Sequence, residues 1–542
     1  MKTRYFFHTL ITVPVAALTL TSCLSENPRS AIEEESAYQD INSLELSTLA
    51  SIYNYIGGSS DCQGLQGTFR GVYDLNTFTT DEAILPTRGG DWYDGELWQN
   101  LYYHAWTESD APFEGTWNYL YKVVMMCNRH IKTITDHKDI LGDFRAEIDI
   151  AELRAVRAMY YFYIMDLWGN IPVTTDADTD VEEVKQLPRA EVFRFIVSEL
   201  QETCDLLPDY HSSQQGSFYG RMTRPVVWFL LAKLMLNAEV YADSDWTDGA
   251  RLSGKDLLFN VNGKQMNAWE ACIYYCNQLE IEGGYMLEDH YGNNFSTHNE
   301  GSRENIFTIP MDKLLYTNMY MYAFRSRHYA QGSAMGMAAE NGTSATLSTV
   351  KAYGYGTPEI DKRWYENFFY EYVYVNDETV KLADGTPLYY EPTAVAVDLT
   401  GSPYEKTGGA RMRKYEPDML AYADGKLQSN DIVLFRFGDA VLMRAEAEVR
   451  NGGDGSADLN SIRERAEMPT REATLDNILT ERLLELMWEG WRRNDLIRFD
   501  RFHTSYDMRP QLANEGDRHT IVFPIPSDAL AENKNLKQNP GY

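Results

Sequence analysis

Residues 146–172, AEIDIAELRAVRAMYYFYIMDLWGNIP, constrain the fold more than any other stretch of the chain. Two apolar stripes run through them. One is Leu153, Val156, Tyr160, Tyr163 and Leu167, and the other is Ala151, Ala155, Ala158, Phe162 and Met165. Both advance in alternating steps of three and four, which keeps each on one side of a helix with about 3.6 residues per turn. A surface helix needs one such stripe; two predict neighbours on two sides. Gly169-Asn170 offers a left-handed stop, and Pro172 cannot continue a helix. The alanines let a second helix approach closely. The stretch reads as the inner helix of a stacked array of helical hairpins.

The rest of the chain supplies partners for it. A helix capped at Asn42 or Ser43 carries Leu46, Leu49, Tyr53 and Ile56 on one face and closes at Gly57-Gly58. It pairs with one starting at Gly115 whose inner face is Trp117, Leu120, Val124, Cys127, Ile131 and Ile134. Helices over 190–207 and 225–241 form a second pair, and 268–281 is helical again. Glu304–Pro310 reads as a short strand. Phe437, Val441, Ala445 and Val449 mark a helix ending at Gly452-Gly453. A last long helix, capped by Thr474, carries Leu479, Leu483, Leu486, Met487 and Gly490 on one face. Its other face has Glu481, Arg482, Glu485, Glu489 and Arg493, with Glu489 and Arg493 placed for an i, i+4 pair worth a few tenths of a kcal/mol. Two regions break the periodicity: 62–112, rich in Trp and Tyr, and 283–429, rich in Tyr, Gly and Asn. The expected fold is all-α, a tetratricopeptide-like frame over 37–282 and 430–542 interrupted by a large irregular insertion.

The first residues form a targeting segment. Lys2 and Arg4 precede an apolar run, Phe6 to Leu20, that is too short to span a bilayer stably, and it ends in Leu20-Thr21-Ser22-Cys23. That divides 1–22, a signal peptide, from 23–36, a polar tether containing Pro28 and Glu33-Glu34-Glu35. Of the remaining cysteines, Cys62, Cys127, Cys204, Cys272 and Cys276 are odd in number and cannot all pair. Cys127, Cys204 and Cys272 sit in apolar helical runs. Cys272 and Cys276 lack the companions of a zinc site and read as packing residues. With 49 Lys and Arg against 80 Asp and Glu, the formal charge of −31 repels nucleic-acid phosphates, and no basic cluster offsets it.

A ligand with both apolar faces and hydroxyls needs flat aromatic surfaces and planar polar groups. The loop 81–100 has both: Trp92, Tyr93 and Trp98 beside Asp81, Arg88, Asp91 and Asn100. In the insertion, Tyr320, Tyr322, Tyr353 and Tyr355 lie among Gly and polar residues, while Trp364 reads as an anchor to the frame. A glycoside hydrolase would need two carboxylates facing across a cleft, and no pair stands out; no GxSxG, HExxH or phosphate loop has its required context. No catalytic residue, metal site or cofactor is expected. No EF-hand loop is present to call for calcium. A helical-repeat adaptor that binds only protein or peptide is the other reading.

Fragments along nearly the whole chain resemble the SusD/RagB family of outer-membrane nutrient-binding lipoproteins. They are the lipobox at Cys23, TTDEA at Thr79–Ala83, the W-x2-L-Y run from Trp117 to Cys127-Asn128, AELRAVRAMYYFYIMDLWGNIPV, RFGDAVLMRAEAEVRNGG at Arg436–Gly453, TERLLELMWEGWRRNDLIRF at Thr480–Phe499, and the terminal IPSDAL…QNPGY. The resemblance implies a tetratricopeptide-like frame and no catalysis. It also implies diacylation of Cys23, an outer-membrane anchor facing the cell exterior, and capture of oligosaccharides for a SusC-like TonB-dependent barrel. It places the glycan site on the 81–100 loop and the insertion.

Overall fold

The structure, a computed structural model, describes residues 38, 40–58, 64–66, 70–315, 321–422 and 425–542. Cys23, the signal and tether segments, Cys62 and Tyr320 lie outside the described residues.

The frame is a serial stack of helices: α1 (Ala111–Asp136), α2 (Asp143–Trp168), α3 (Arg189–Cys204), α4 (Arg224–Leu236) and α5 (Ala268–Ile281). Each packs on the next, and α2 lies between α1 and α3. Both stripes of α2 are buried, from Leu153 to Leu167 and from Ala151 to Met165. Gly169, at φ 70°, ends α2, and a Cβ there would strike the Trp246 ring. The expectation of an inner helix holds, with one difference in pairing. The hairpin partner of α1 is α2, and the opening stretch (Ile41–Glu45, a π-turn at Leu46–Ala50, Ser51–Gly57) crosses α1 over a smaller area. Its cap is Asp40, whose carboxylate accepts the Ser43 N–H at 2.9 Å, and not Asn42 or Ser43. Asn267 and Glu270 form a reciprocal capping box on α5. Cys127, Cys204, Cys272 and Cys276 are buried and unpaired.

The insertion is built of short pieces. It contains β1 (Asn305–Ile309), the short helix α6 (Tyr329–Met335), β2 (Glu371–Tyr372), β3 (Tyr374–Val375), β4 (Glu378–Thr379) and β5 (Tyr389–Tyr390). After it, β6 (Ile432–Arg436) pairs antiparallel with β1, Ile432 opposite Ile309 and Arg436 opposite Asn305. Every residue of β1 and β6 is buried, which suits their near-continuous apolar sequences. Trp364 is fully buried against Tyr353, Tyr355 and Phe368, all of the insertion, within the hydrophobic cluster that also includes the frame helices.

The chain closes with α7 (Phe437–Asn451), α8 (Ser456–Arg465), α9 (Leu475–Leu486) and α10 (Arg492–Arg498). Thr474 caps α9 as expected, but α9 stops at Leu486, and Trp488 and Gly490 take left-handed φ values of 67° and 75°. The single long helix is therefore two, and its charged face is not a solvated one. Glu485 and Glu489 meet Arg436 at 2.6 and 2.7 Å, and Glu489 also meets Lys414 at 2.6 Å. Glu481 holds Arg363 and Arg463 at 2.5 and 2.7 Å, and Arg493 reaches Asp166 of α2 at 2.9 Å. All these groups but the partly exposed Asp166 are buried, and the expected Glu489–Arg493 pair is replaced by longer-range partners. Burial opposes the charge on Glu485, yet the surrounding Arg465, Arg436 and Arg363 hold its carboxyl well below the usual range. The charges of the C-terminal motif thus clamp strand, insertion and helices together.

Candidate functional site

The 81–100 loop meets the insertion through Arg88. Gly89-Gly90, with Gly89 at φ 69°, turns the chain so that Arg88 N–H donates to Asp91 C=O at 3.0 Å. The buried Arg88 guanidinium donates to the carbonyls of Gly342 and Gly408, both at 3.0 Å. Carbonyls, with no carboxylate bonded to it, satisfy this cation, and burial pushes its pKa well down. Arg88 fixes the loop and is withdrawn from any ligand. Asp81 is similarly occupied, accepting Arg492 through both oxygens at 2.6 and 2.8 Å.

Beyond that turn, Trp92, Asp94 and Glu96 all have positive φ, at 63°, 40° and 70°. Such conformations cost non-glycine residues on the order of 1–3 kcal/mol each and persist only where surrounding contacts impose them. Here the contact is the Trp92 indole. It lies flat against Gly342, where any Cβ would come within 2.8 Å of the ring, and its Nε1–H donates to Glu340 C=O at 2.8 Å. Trp98 meets it edge-on at 6.2 Å and donates to Asp94 at 2.8 Å.

The result is an open cleft of about 540 Å³ whose walls are Trp92, Trp98, Asp91, Asp94, Arg70, Tyr329 and Glu340. Tyr329, at the start of α6, is 46% exposed and donates to Asp91 at 3.1 Å; Lys406 donates to the same carboxylate at 2.9 Å. Burial and then Asp91 push the Tyr329 phenol up to about 12, so it remains a hydroxyl donor at neutral pH. Arg70 pairs with Asp94 at 2.8 Å across the rim. The Glu340 carboxyl is raised from its usual range by burial, and its Oε2 is buried with no hydrogen-bond partner.

Of the sequence candidates, Trp92 and Asp91 line this cleft; Trp98 borders it but is buried in the core against Phe78 with its indole N–H given to Asp94, so it is a packing residue. Tyr93 is half exposed at the rim, and Asn100 is partly exposed on the short helix Leu97–Tyr103. Tyr322 is buried, stacked on Tyr73 at 3.8 Å and under the Arg325 guanidinium at 4.5 Å, so it belongs to the core. Tyr353 is also core, and Tyr355 stacks on Trp364. Arg70, Asp94, Tyr329 and Glu340 had not been singled out. Tyr329 and Glu340 lie far along the chain, and their segment is brought to the loop by the Arg88 clamp together with the pairing of Ala83 with Ala345. Among the described residues no group of His, Cys, Asp and Glu is placed to hold a metal ion, and no helix is long and apolar enough to cross a membrane.

Comparison with known proteins gives the family. Residues 257–542 match the SusD family model, and residues 70–236 match one described as starch-binding, associating with outer membrane. The chain is 24% identical to the starch-binding protein SusD of Bacteroides thetaiotaomicron, with 100% of each chain covered. It is 23% identical to a SusD-like protein of Bacteroides ovatus, covering 91% of this chain and 82% of that one. In fold it resembles surface glycan-binding protein A of Bacteroides thetaiotaomicron, solved with laminarihexaose, at a TM-score of 0.68 and 19% identity over 93% of this chain and 100% of the other. With the family model matching more than half of its length, the chain belongs to the SusD family.

Proposed function

We propose that the chain captures neutral oligosaccharides in the Trp92 cleft without cleaving them. The observation that carries this reading is an open cleft walled by the Trp92 indole together with Asp91, Asp94, Arg70 and Tyr329. A pyranose laid on the ring would find Tyr329, Asp91 and Arg70 within the same cleft for its hydroxyls. Asp91, Asp94 and Glu340 outnumber Arg70 on the walls, and the chain carries −31 overall, so acidic glycans are disfavoured. The relatives named above are described as binding proteins, with starch and laminarihexaose among their ligands, which supports capture over hydrolysis. A glycan array probed with residues 25–542 tests this. Binding to neutral oligosaccharides, with no new reducing ends on incubation, is expected; binding to none of them, or release of shorter sugars, contradicts it.

Anchoring through a lipid on Cys23, exposure at the cell exterior and delivery to a SusC-like TonB-dependent barrel complete the proposal. The Leu20–Cys23 motif and family membership support them. Cys23→Ala is expected to release the protein from the outer membrane in cells lacking the barrel. Mild-detergent purification of the native lipoprotein is expected to bring the barrel with it in near-equal amount.

A further inference from the structure

A second aromatic surface lies on the insertion, away from the 81–100 loop. Residues 368–374 run FFYEYVY, and alternation in their extended course turns Tyr372 and Tyr374 outward, 53% and 60% exposed, while Val373 between them is buried. With Tyr365, Tyr370 and Arg413 they border an open trough of about 490 Å³. The trough continues past Glu366 and Arg413 into a second hollow that includes His290 and Asn293. Arg413 and Glu366 lie 3.5 Å apart between the two, both substantially exposed. Among the described residues, none hydrogen-bonds the hydroxyls of Tyr365, Tyr370, Tyr372 and Tyr374.

The chemistry of this ledge differs from that of a groove lined by Leu46, Leu49, Ile56 and Leu315, which offers aliphatic surface. The ledge exposes no aliphatic side chain. It offers ring faces, free phenols and a planar guanidinium–carboxylate pair, the groups that match a polyhydroxylated ligand with apolar C–H faces. We propose that the ledge is a second saccharide-binding surface that holds a distant part of the polymer whose end enters the Trp92 cleft. The proposal rests on the saccharide reading of that cleft.

The two surfaces share one support. Val373, Val380, Leu388 and Tyr390 form a small separate core against which Ala330 of α6 packs. The Tyr390 hydroxyl receives the His328 N–H at 2.8 Å and donates to Gln331 at 2.7 Å, fixing the helix that begins with Tyr329. The ledge and one wall of the cleft are therefore held in fixed relation. Two surfaces in fixed relation on one polymer gain avidity without any new contact, and the gain vanishes for a chain too short to reach both.

The test uses affinity gel electrophoresis in laminarin, soluble starch, inulin, xylan and mucin, with calorimetry on hexasaccharides of the retarding polymer. Tyr372→Ala/Tyr374→Ala is expected to weaken polymer retention about tenfold, two lost ring contacts, while hexasaccharide affinity is unchanged. Tyr372→Phe/Tyr374→Phe, which keeps the rings, is expected to retain most of the binding, and circular dichroism melts should match wild type for both. In the Trp92→Ala background, residual retention should disappear on adding the alanine pair. Polymer retention of the alanine pair equal to wild type, with Trp92→Ala still impaired, overturns the ledge alone. A wild-type chain retarded by none of the polymers overturns the saccharide reading on which it depends.

Discussion

In the C-terminal part of the frame, Arg436 meets Glu304, Glu485 and Glu489 with no access to solvent. In the Trp92 cleft, Arg70 meets Asp94 at a similar distance, yet its side chain is 46% exposed. The residue types are the same, and burial decides what each pair does. The buried ions cannot be separated without stranding a charge in a low dielectric, so they fix the insertion on the helices. The exposed ones exchange readily with water and with ligand hydroxyls, so they can serve recognition at little structural cost.

The sharpest way to break this contrast is to remove one carboxylate from the network. Glu485→Ala leaves Arg436, Arg465 and Arg363 short of a partner and is expected to cost about 3–5 kcal/mol, read as a large fall in thermal midpoint or loss of soluble protein. A melt like that of wild type would show that the network is dispensable. Acid should dismantle the same elements more gradually. Burial opposes ionisation of Asp495, but Arg482 and Arg498 hold its pKa at about 2, below the 3.8 of a free side chain. Glu515, beside His104 and Arg509, is likewise held at about 2, against 4.5. A depressed folded-state pKa contributes stability that is present above the unfolded value and lost as pH falls, so the melting temperature should drop between about pH 4.5 and 2. A profile flat over that window would contradict the assignment.

At the cleft, the expected effects move from stability to affinity. Trp92→Ala removes a stacking face and should weaken oligosaccharide binding about fivefold, from on the order of 1 kcal/mol per ring. Because Trp92 also bonds Glu340 C=O, a small fall in stability of about 1 kcal/mol should accompany it. The smallest effect is predicted for Arg70→Ala. Its exposed pair with Asp94 should change stability by no more than about 1 kcal/mol while still lowering glycan affinity measurably.

Much of the frame was legible because helical periodicity is local. The two stripes of α2 and the capping residue Thr474 could be read without knowing any partner. The charged face after Thr480 misled for the same reason. Glu485 and Arg493 sit at helical spacing from polar neighbours, and nothing local shows that Arg436 and Asp166, far off in sequence, will bury them. The site was half legible. Loop 81–100 could be picked out by its Trp and Tyr content, but composition does not say which side chains face inward. Arg88 and Asp81 have the right chemistry for a sugar and are consumed by Gly342, Gly408 and Arg492. Tyr322 likewise disappears under Arg325. Tyr329 and Glu340 carry no local signal and become visible only when the insertion folds back on the loop.

The most direct test of the Trp92 cleft is a crystal structure of the chain with a bound neutral hexasaccharide chosen by array. The predicted density lies over the Trp92 indole, with sugar hydroxyls within hydrogen-bonding distance of Asp91, Tyr329 or Arg70. A well-ordered sugar elsewhere on the molecule, with the Trp92 cleft empty, would contradict it.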